Sequence, residues 1–299
     1  MKRKNKIRYS ILIVLAILLL LIFRHQWMRW QIKEPLTDAS GLLKVHFIAA
    51  GQSDCILVQS EDQNLLIDAG DNLSGGEVVD YLRSQGITYL DYVIGTHGHH
   101  DHIGGMDAVL YNFEVGEFFL SKQQYDTHIY TDMLDAAKAR GIPVTIPKFM
   151  EMRTLGTAKF IFVALNPKGE YEDVNDSSLG IRVSNGTHSF LMCGDISKEM
   201  ESEMVKSGIY LKSDVMKLNH HGSSDTNSKK FLKYVNPDYA VACCGRNNGF
   251  GHPHPSVLKR LKRLNIELFR TDEQGTIVFT SDGERLVMQC DRNLFASVL

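Results

Sequence analysis

The stretch YVIGTHGHHDHIGG, from Tyr92 to Gly105, decides the fold expected for this 299-residue chain. An apolar strand ends in it, and four histidines and one aspartate follow within six residues. This spacing lets a tight loop direct two histidines at one metal ion and an aspartate–histidine pair at another, while the closing glycines allow close backbone approach. Imidazole and carboxylate donors suit zinc or manganese, so we expect a metal site rather than a solvated polar loop. The candidate ligands in this stretch are His97, His99, Asp101 and His102.

Apolar runs on both sides of this stretch alternate with helical patterns. Strand-like runs occupy residues 42–48, 55–58, 64–67, 92–94, 160–165, 179–183 and 190–193. Helical patterns occupy residues 77–84, 132–140, 198–206, 229–234 and 256–264. Short turns at 61–63 and 185–186 predict hairpins. We therefore expect one α/β domain over residues 41–299, built as a layered sheet sandwich with outer helices.

The first 40 residues predict a membrane anchor. Residues 9–23 carry no charge, and two tryptophans and two arginines follow directly, as in an interfacial belt. Five basic residues precede the run and three follow it, so the positive-inside rule keeps residues 1–8 in the cytoplasm. We expect a single-pass anchor at 9–23, a linker at 24–40 and an extracytoplasmic domain at the cell membrane. A cleaved signal peptide is the alternative, and it leads to the same compartment.

Composition limits the remaining possibilities. Hydrophobic residues make up 43% of the chain, enough for a sizeable core, and the net charge of -2 gives no global basic field for collecting nucleic acid. The five cysteines form no CxxC pair and lie mostly in apolar runs, so we expect buried free thiols.

Three later segments add candidate site residues. The run SFLMCGDIS places Asp195 after a strand and a glycine, and VMKLNHHGSS places His220 and His221 at a strand end. The run GFGHPHPS holds His252 and His254 in a loop fixed by prolines, where a histidine could bind a phosphoryl oxygen or protonate a leaving group. Surface histidines that cap a turn are the alternative for this loop.

These motifs resemble the metallo-β-lactamase superfamily and, over nearly the whole chain from Leu42 onwards, the C-terminal hydrolase domain of ComEC-type competence DNA-uptake proteins. The matching residues are GQSD at 51–54, LIDAG at 66–70, HxHxDHIGG at 97–105, NDSSL at 175–179, CGD at 193–195, KLNHHGSS at 217–224, GHPHP at 251–255 and RTDEQGTIVFTSDG at 270–283. The resemblance implies an αββα sandwich of two mixed sheets with two divalent ions, zinc foremost and manganese as the alternative.

The resemblance also implies roles for individual residues. In such enzymes the first two histidines of HxHxDH serve one ion, the Asp/His pair serves the other, and the later aspartate bridges both. The implied metal ligands are His97, His99, Asp101, His102, Asp195 and one of His220 and His221, of which His221 is favoured; His100 is not a ligand. The implied catalytic residues are Asp101, Asp195, His220, His252 and Asn175. Asp68 would orient a ligand histidine, unless it is an ordinary turn carboxylate.

One departure from the superfamily pattern concerns the first ion. The superfamily usually has another histidine between HxHxDH and the GD motif. Here that interval holds only His128 and His188, neither in the expected setting, whereas Asn175 and Asp176 occupy the ComEC-like position. The first ion would then be more open, which favours phosphate esters as substrates.

The sequence therefore predicts a membrane-anchored phosphodiesterase that acts on single-stranded DNA. Basic residues of two predicted helices could follow a phosphate backbone, or they form solvated helix faces. They are Lys229, Lys230, Lys233, Lys259, Arg260, Lys262 and Arg263. Two alternatives stay open: a phosphorylcholine esterase of the cell envelope, which needs an aromatic cage, and a non-catalytic anchored binding module.

Overall fold

The computed structural model describes residues 41–164, 171 and 173–291. Strands and helices alternate along these residues. The strands are β1 Leu43–Phe47, β2 Ile56–Ser60, β3 Gln63–Ile67, β4 Tyr89–Gly95, β5 Glu114–Leu120, β6 Val144–Thr145, β7 Met152–Leu155, β8 Ala158–Ala164, β9 Gly180–Asn185, β10 His188–Met192, β11 Val215–Lys217, β12 Tyr239–Ala242, β13 Glu267–Arg270, β14 Ile277–Ser281 and β15 Leu286–Cys290.

The helices of the described residues are mostly short. They are α1 Gly75–Ser84, α2 His100–Ile103, α3 Met106–Asn112, α4 His128–Ala139, α5 Lys198–Ser207, α6 Lys229–Val235, α7 Pro255–Leu264 and α8 Thr271–Gln274. Two 3-10 helices lie at Val174–Ser177 and Asn219–Gly222. The five helical patterns of the sequence coincide with α1, α4, α5, α6 and α7 to within a few residues.

The strands form two mixed sheets. The first has the order β15-β14-β1-β2-β3-β4-β5-β6, antiparallel from β15 to β3 and parallel from β3 to β6. The second has the order β13-β12-β11-β10-β9-β8-β7, parallel from β13 to β10 and antiparallel from β10 to β7. Both predicted hairpins, β2–β3 and β9–β10, are confirmed.

Three apolar layers hold the sandwich together. Phenylalanines from both sheets fill the middle layer; they include Phe47, Phe119, Phe160, Phe162, Phe190 and Phe279. A second layer packs the first sheet against α1, α3 and α4, and a third packs the other sheet against α5, α6 and α7. Sheets covered on both faces need nearly continuous apolar strands, which is why the runs around β4 and β11 lack alternation. The expected αββα sandwich is confirmed.

The predicted tail at 1–8, anchor at 9–23 and linker at 24–40 lie outside the described residues, as do residue 165 of a predicted strand and residues 292–299 of the predicted domain. Within the described ranges, no helix combines the length and apolar character needed to cross a bilayer. All five cysteines fall in those ranges; Cys55, Cys193, Cys243 and Cys244 are free thiols and buried, as expected, and Cys290 is partly exposed.

Candidate metal centre

The candidate residues meet at one edge of the sandwich because strands from both sheets end there. Strands β3 and β4 run parallel, so Asp68 and His97, which follow them, reach the same edge. In the second sheet β10 and β11 are parallel, and they lead to Asp195 and to the His220/His221 pair in the same way. The carboxyl ends of parallel strands are where α/β folds place their ligand sites.

The histidine loop turns tightly from β4 into α2. The His97 and His99 side chains lie side by side, with His97 Nε2 3.1 Å from His99 Nδ1. A Cβ atom on Gly98 would lie 2.2 Å from the Tyr125 ring, and one on Gly105 would lie 2.3 Å from the Ala69 carbonyl oxygen. Glycine is thus required for the close approach that the sequence predicted. Tyr125, which sequence reasoning missed, closes the outer side of this loop.

His102 is held by a buried carboxylate. Its Nδ1 lies 2.7 Å from Asp68 Oδ2, which also accepts a hydrogen bond from the Thr96 hydroxyl, while Asp68 Oδ1 accepts from the Thr96 backbone N–H. The ring therefore carries its proton on Nδ1 and turns Nε2 towards the site. His102 Nε2 is buried without a hydrogen-bond partner although Asp195 Oδ2 is 3.2 Å away. Such an unpartnered nitrogen fits a metal ligand.

Four donor groups converge at this point. Donor atoms of Asp101, His102, Asp195 and His221 all lie within 4.8 Å of one another. His221 Nε2 lies 3.3 Å from Asp101 Oδ2 and 3.5 Å from Asp195 Oδ2. Two imidazoles and two carboxylates form a donor set that suits a divalent ion such as zinc or manganese. The residues present therefore fit the metal that the sequence predicted.

The two adjacent histidines after β11 face different surroundings. Both adopt left-handed backbone angles, with φ of 49° at His220 and 53° at His221, which turns the chain sharply. His221 is buried, and its Nδ1 lies 2.8 Å from the Cys243 carbonyl oxygen, which leaves Nε2 for the cluster. His220 is 35% exposed and lies 3.8 Å from Asp195 Oδ2. This geometry favours His221 as the ligand and places His220 on the solvent side.

Residues 48–147, which include the histidine loop, match the family model of the metallo-beta-lactamase superfamily. The chain is therefore similar to this superfamily over about a third of its length. This match agrees with the resemblance drawn from the motifs, and the fold implies divalent metal ions.

Individual competence proteins are similar to a larger part of the chain. The chain is 31% identical to ComE operon protein 3 of Bacillus subtilis over 82% of its own length and 34% of that protein. It is 30% identical to competence protein ComA of Neisseria gonorrhoeae over 77% of its length and 31% of that protein. The chain thus spans about a third of these relatives. Among solved structures, the metallo-beta-lactamase fold protein YhfI from Bacillus subtilis matches with a TM-score of 0.53 at 16% sequence identity. The match covers 81% of this chain and 100% of YhfI, and it supports the fold alone.

The candidate centre also contains a buried ion pair that sequence reasoning missed. Lys217 is fully buried, and its Nζ contacts Asp54 Oδ2, lies 3.0 Å from the Gly194 carbonyl oxygen and 3.3 Å from Asp195 Oδ1. Asp54 Oδ1 lies 3.3 Å from His221 Nδ1. A lysine inside the apolar run VMKL was the available signal, because lysine is almost never buried unless paired.

The charges of the cluster shift each other's pKa values. Burial lowers the pKa of His221, but Asp195 and Asp54 outweigh it and raise that pKa to about 9. Burial would raise the pKa of Asp195, yet His102 and His221 hold it well below its usual range. Burial and the neighbouring His102 lower the pKa of His97, which stays neutral. Cation binding would therefore release a proton from His221, because only neutral imidazole binds metal.

The Asn175 segment reaches the site through a serine. Ser178 Oγ lies 3.2 Å from His97 Nδ1 and donates a hydrogen bond to the Asn175 carbonyl oxygen. Asn175 Oδ1 is buried and has no hydrogen-bond partner among the described residues. Asp176 is committed elsewhere, since its carboxylate accepts hydrogen bonds from Ser197. An unpaired buried oxygen at Asn175 is compatible with a role at the site, which stays a prediction.

The other histidines that the sequence raised lie outside the four-donor cluster. His188 Nδ1 lies 2.8 Å from Ser281 Oγ at the opposite end of the second sheet, and His128 is exposed at the start of α4. His100, beside the ligand loop, is exposed as well. These placements agree with leaving all three out of the ligand set.

The proline-fixed loop brings His252 to the open side of the centre. Its ring centroid lies 5.6 Å from that of His220 and 6.2 Å from that of His221. The Gly245 N–H donates a hydrogen bond to Gln52 Oε1, which turns Gln52 Nε2 towards His252 Nδ1 at a distance of 3.4 Å. Because His252 Nδ1 accepts from this amide, the proton of the neutral ring is on Nε2. Burial, followed by the charges of His221 and His220, lowers the pKa of His252 to about 4. A neutral ring suits hydrogen bonding to a phosphoryl oxygen better than proton donation.

His254 has a structural part in the same loop. Its Nδ1 accepts a hydrogen bond from the Ser224 backbone N–H at 2.8 Å, and its Nε2 donates to the Phe250 carbonyl oxygen at 3.1 Å. Both ring nitrogens are therefore engaged with the backbone, and the ring braces the loop.

The basic side chains of the two predicted helices differ in whether they are accessible to a substrate. Arg260 donates hydrogen bonds to the Thr226 and Asn227 carbonyl oxygens and is therefore committed to the fold. The remaining six basic side chains are exposed; they are Lys229, Lys230, Lys233, Lys259, Lys262 and Arg263. These six remain candidates for contact with an anionic substrate.

Proposed function

We propose that the chain is a dinuclear metal-dependent phosphodiesterase that cleaves single-stranded DNA. The observation that supports this most directly is the convergence of Asp101, His102, Asp195 and His221 within 4.8 Å. The His97 and His99 pair adjoins this cluster, with the His97 ring centroid 4.1 Å from that of His102. A second ion beside the first needs such an arrangement of two donor groups around one shared aspartate.

Each ion position has its own residues under this proposal. His97 and His99 would hold one ion, Asp101, His102 and His221 would hold the other, and Asp195 would be shared between the two. When bound, the ions act as Lewis acids on the phosphoryl group and supply a hydroxide nucleophile near neutral pH.

The chain's own side chains position the reaction around these ions. Lys217 holds Asp195 Oδ1, which leaves Oδ2 for the ions. Asp68 fixes the orientation of the His102 ring. On the open side, His220 and the Nε2–H of His252 contact the phosphate ester, and the exposed lysines of α6 and α7 attract its neighbouring phosphates. Asn175 lines the more open position near His97.

The choice of DNA as substrate rests on the relatives. Two relatives are named as a ComE operon protein and a competence protein, and the present chain corresponds to about a third of each. Because four donor residues still converge among the described residues, a non-catalytic binding module is the weaker reading. The charge-free run at 9–23 and its basic flanks support a membrane anchor with the domain outside the cytoplasm.

Cleavage of end-labelled single-stranded DNA tests this proposal. The full-length chain is purified in mild detergent, loaded with zinc or manganese, and compared with Asp195→Ala and with Asp132→Ala, an exposed aspartate of α4. We expect metal-dependent cleavage that is lost in Asp195→Ala and retained in Asp132→Ala.

The metal content of each preparation, measured by plasma mass spectrometry, decides how a negative result is interpreted. Absence of cleavage by protein with two bound ions would refute the nuclease assignment. Hydrolysis of p-nitrophenylphosphorylcholine by that same protein would then support the phosphorylcholine alternative. A chain that binds no metal at all would support the binding module instead.

A further inference from the structure

An aromatic side chain stands exposed beside the candidate centre. Phe250 lies in the loop that carries His252, and 68% of its surface is accessible to solvent. Large apolar side chains are costly to leave in water, so an exposed ring at the edge of a site suggests contact with a ligand.

Hydrogen bonds fix the loop that presents this ring. The Asn248 side chain donates to the carbonyl oxygens of Gly245 and His252, and it accepts from the His252 backbone N–H. His254 Nε2 donates to the carbonyl oxygen of Phe250 itself. Because both flanks are held, ordering the loop on ligand binding would cost little conformational entropy.

The ring is oriented by stacking on a site histidine. The Phe250 and His252 ring centroids are 5.6 Å apart with an interplanar angle of 21°. The His252 ring in turn lies 5.6 Å from that of His220. The rings of His220, His252 and Phe250 therefore form a row that starts at the centre. The face of Phe250 turned away from His252 lies at the end of this row. A flat group attached close to a bound phosphate would reach this face.

We propose that Phe250 is the stacking platform for a nucleobase next to the scissile phosphodiester. The inference rests on the proposed nuclease function and specifies how the strand is held. Stacking on one aromatic face accepts any base, since every base has a π-face, and it requires an unpaired strand. A quaternary ammonium needs a cage of several rings, whereas in the described part of the chain only His252 stacks on Phe250.

The test compares two strands of equal length, oligothymidylate and a wholly abasic strand with the same phosphates. Wild type is expected to have a higher kcat/KM for oligothymidylate. Phe250→Ala should reduce this preference by about 5- to 150-fold, the range for loss of one stacked base, and Phe250→Trp should restore it. Tyr210→Ala is the matched control, because Tyr210 is 69% exposed and precedes β11 at the edge away from the centre.

Binding is measured separately so that the platform does not depend on turnover. In an Asp195→Ala background, fluorescence anisotropy should show weaker binding of labelled oligothymidylate after Phe250→Ala, with no such loss for the abasic strand. Binding without cleavage by metal-loaded wild type would overturn the nuclease proposal and keep the platform. An unchanged preference in Phe250→Ala, or no binding of oligothymidylate, would overturn the platform. The platform would also be overturned if Phe250→Ala lost hydrolysis of p-nitrophenylphosphorylcholine while its cleavage of DNA stayed intact.

Discussion

Replacement of Lys217 by methionine removes a buried positive charge while nearly conserving volume. Lys217 is fully buried between Asp54 and Asp195. Its loss leaves two carboxylates without their shared cation, and removal of one partner from a buried pair costs about 3–5 kcal/mol. We therefore expect the unfolding free energy of the metal-free protein to fall by about that amount. The loss should shrink in the metal-loaded protein, because a cation beside Asp195 replaces part of the missing charge.

Urea unfolding of full-length protein in detergent, followed by far-ultraviolet circular dichroism, measures this effect. Lys230→Met is the matched control, since Lys230 is exposed and its replacement should change stability by less than about 0.5 kcal/mol. The double variant Lys217→Met/Asp54→Asn removes both charges of the closest pair and should be less destabilised than the sum of its single variants. A loss below about 1 kcal/mol in metal-free Lys217→Met would refute the assigned role of the ion pair.

Two further predictions concern buried histidines. Asp68→Asn should weaken metal binding about 10- to 100-fold, because the amide nitrogen of asparagine cannot accept a hydrogen bond from His102 Nδ1. Competition with a chromogenic chelator measures the metal affinity, and an unchanged affinity would contradict the prediction. His46 is buried against Tyr81, and burial, then the charge of Lys44, lowers its pKa to about 4. The unfolded chain therefore binds more protons below pH 6.5, so stability should fall by about 2 kcal/mol from pH 7 to pH 5. His46→Phe should lack this component, and equal pH dependence of the two proteins would exclude it.

The histidine loop could be predicted because its information is local. An apolar strand, closely spaced histidines and closing glycines lie within one short stretch, and the structure uses the glycines as expected. The hairpins at 61–63 and 185–186 were likewise readable from short turns. The strand β5 was missed, since its sequence EVGEFFL mixes charged and small residues with apolar ones.

The long-range partners of the site could not be predicted in the same way. Asp54 precedes β2 of the first sheet and Lys217 ends β11 of the second, and each residue alone would be expected at the surface. The contact of Tyr125 with Gly98 likewise depends on how a loop folds over the site. The sequence motifs contained Asp54 and Lys217, but only the sandwich shows that their charges meet.

Asp101 and His221 approach within 3.3 Å although 120 residues separate them. An ion held by both would connect one sheet to the other, so it could be captured only after the second sheet has packed onto the first. Long-range contacts of this kind form late in folding, because the entropy of closing the intervening loop must first be overcome. A newly made chain would thus acquire its ions in the compartment where folding ends. Metal availability in that compartment then decides which divalent ion fills the centre.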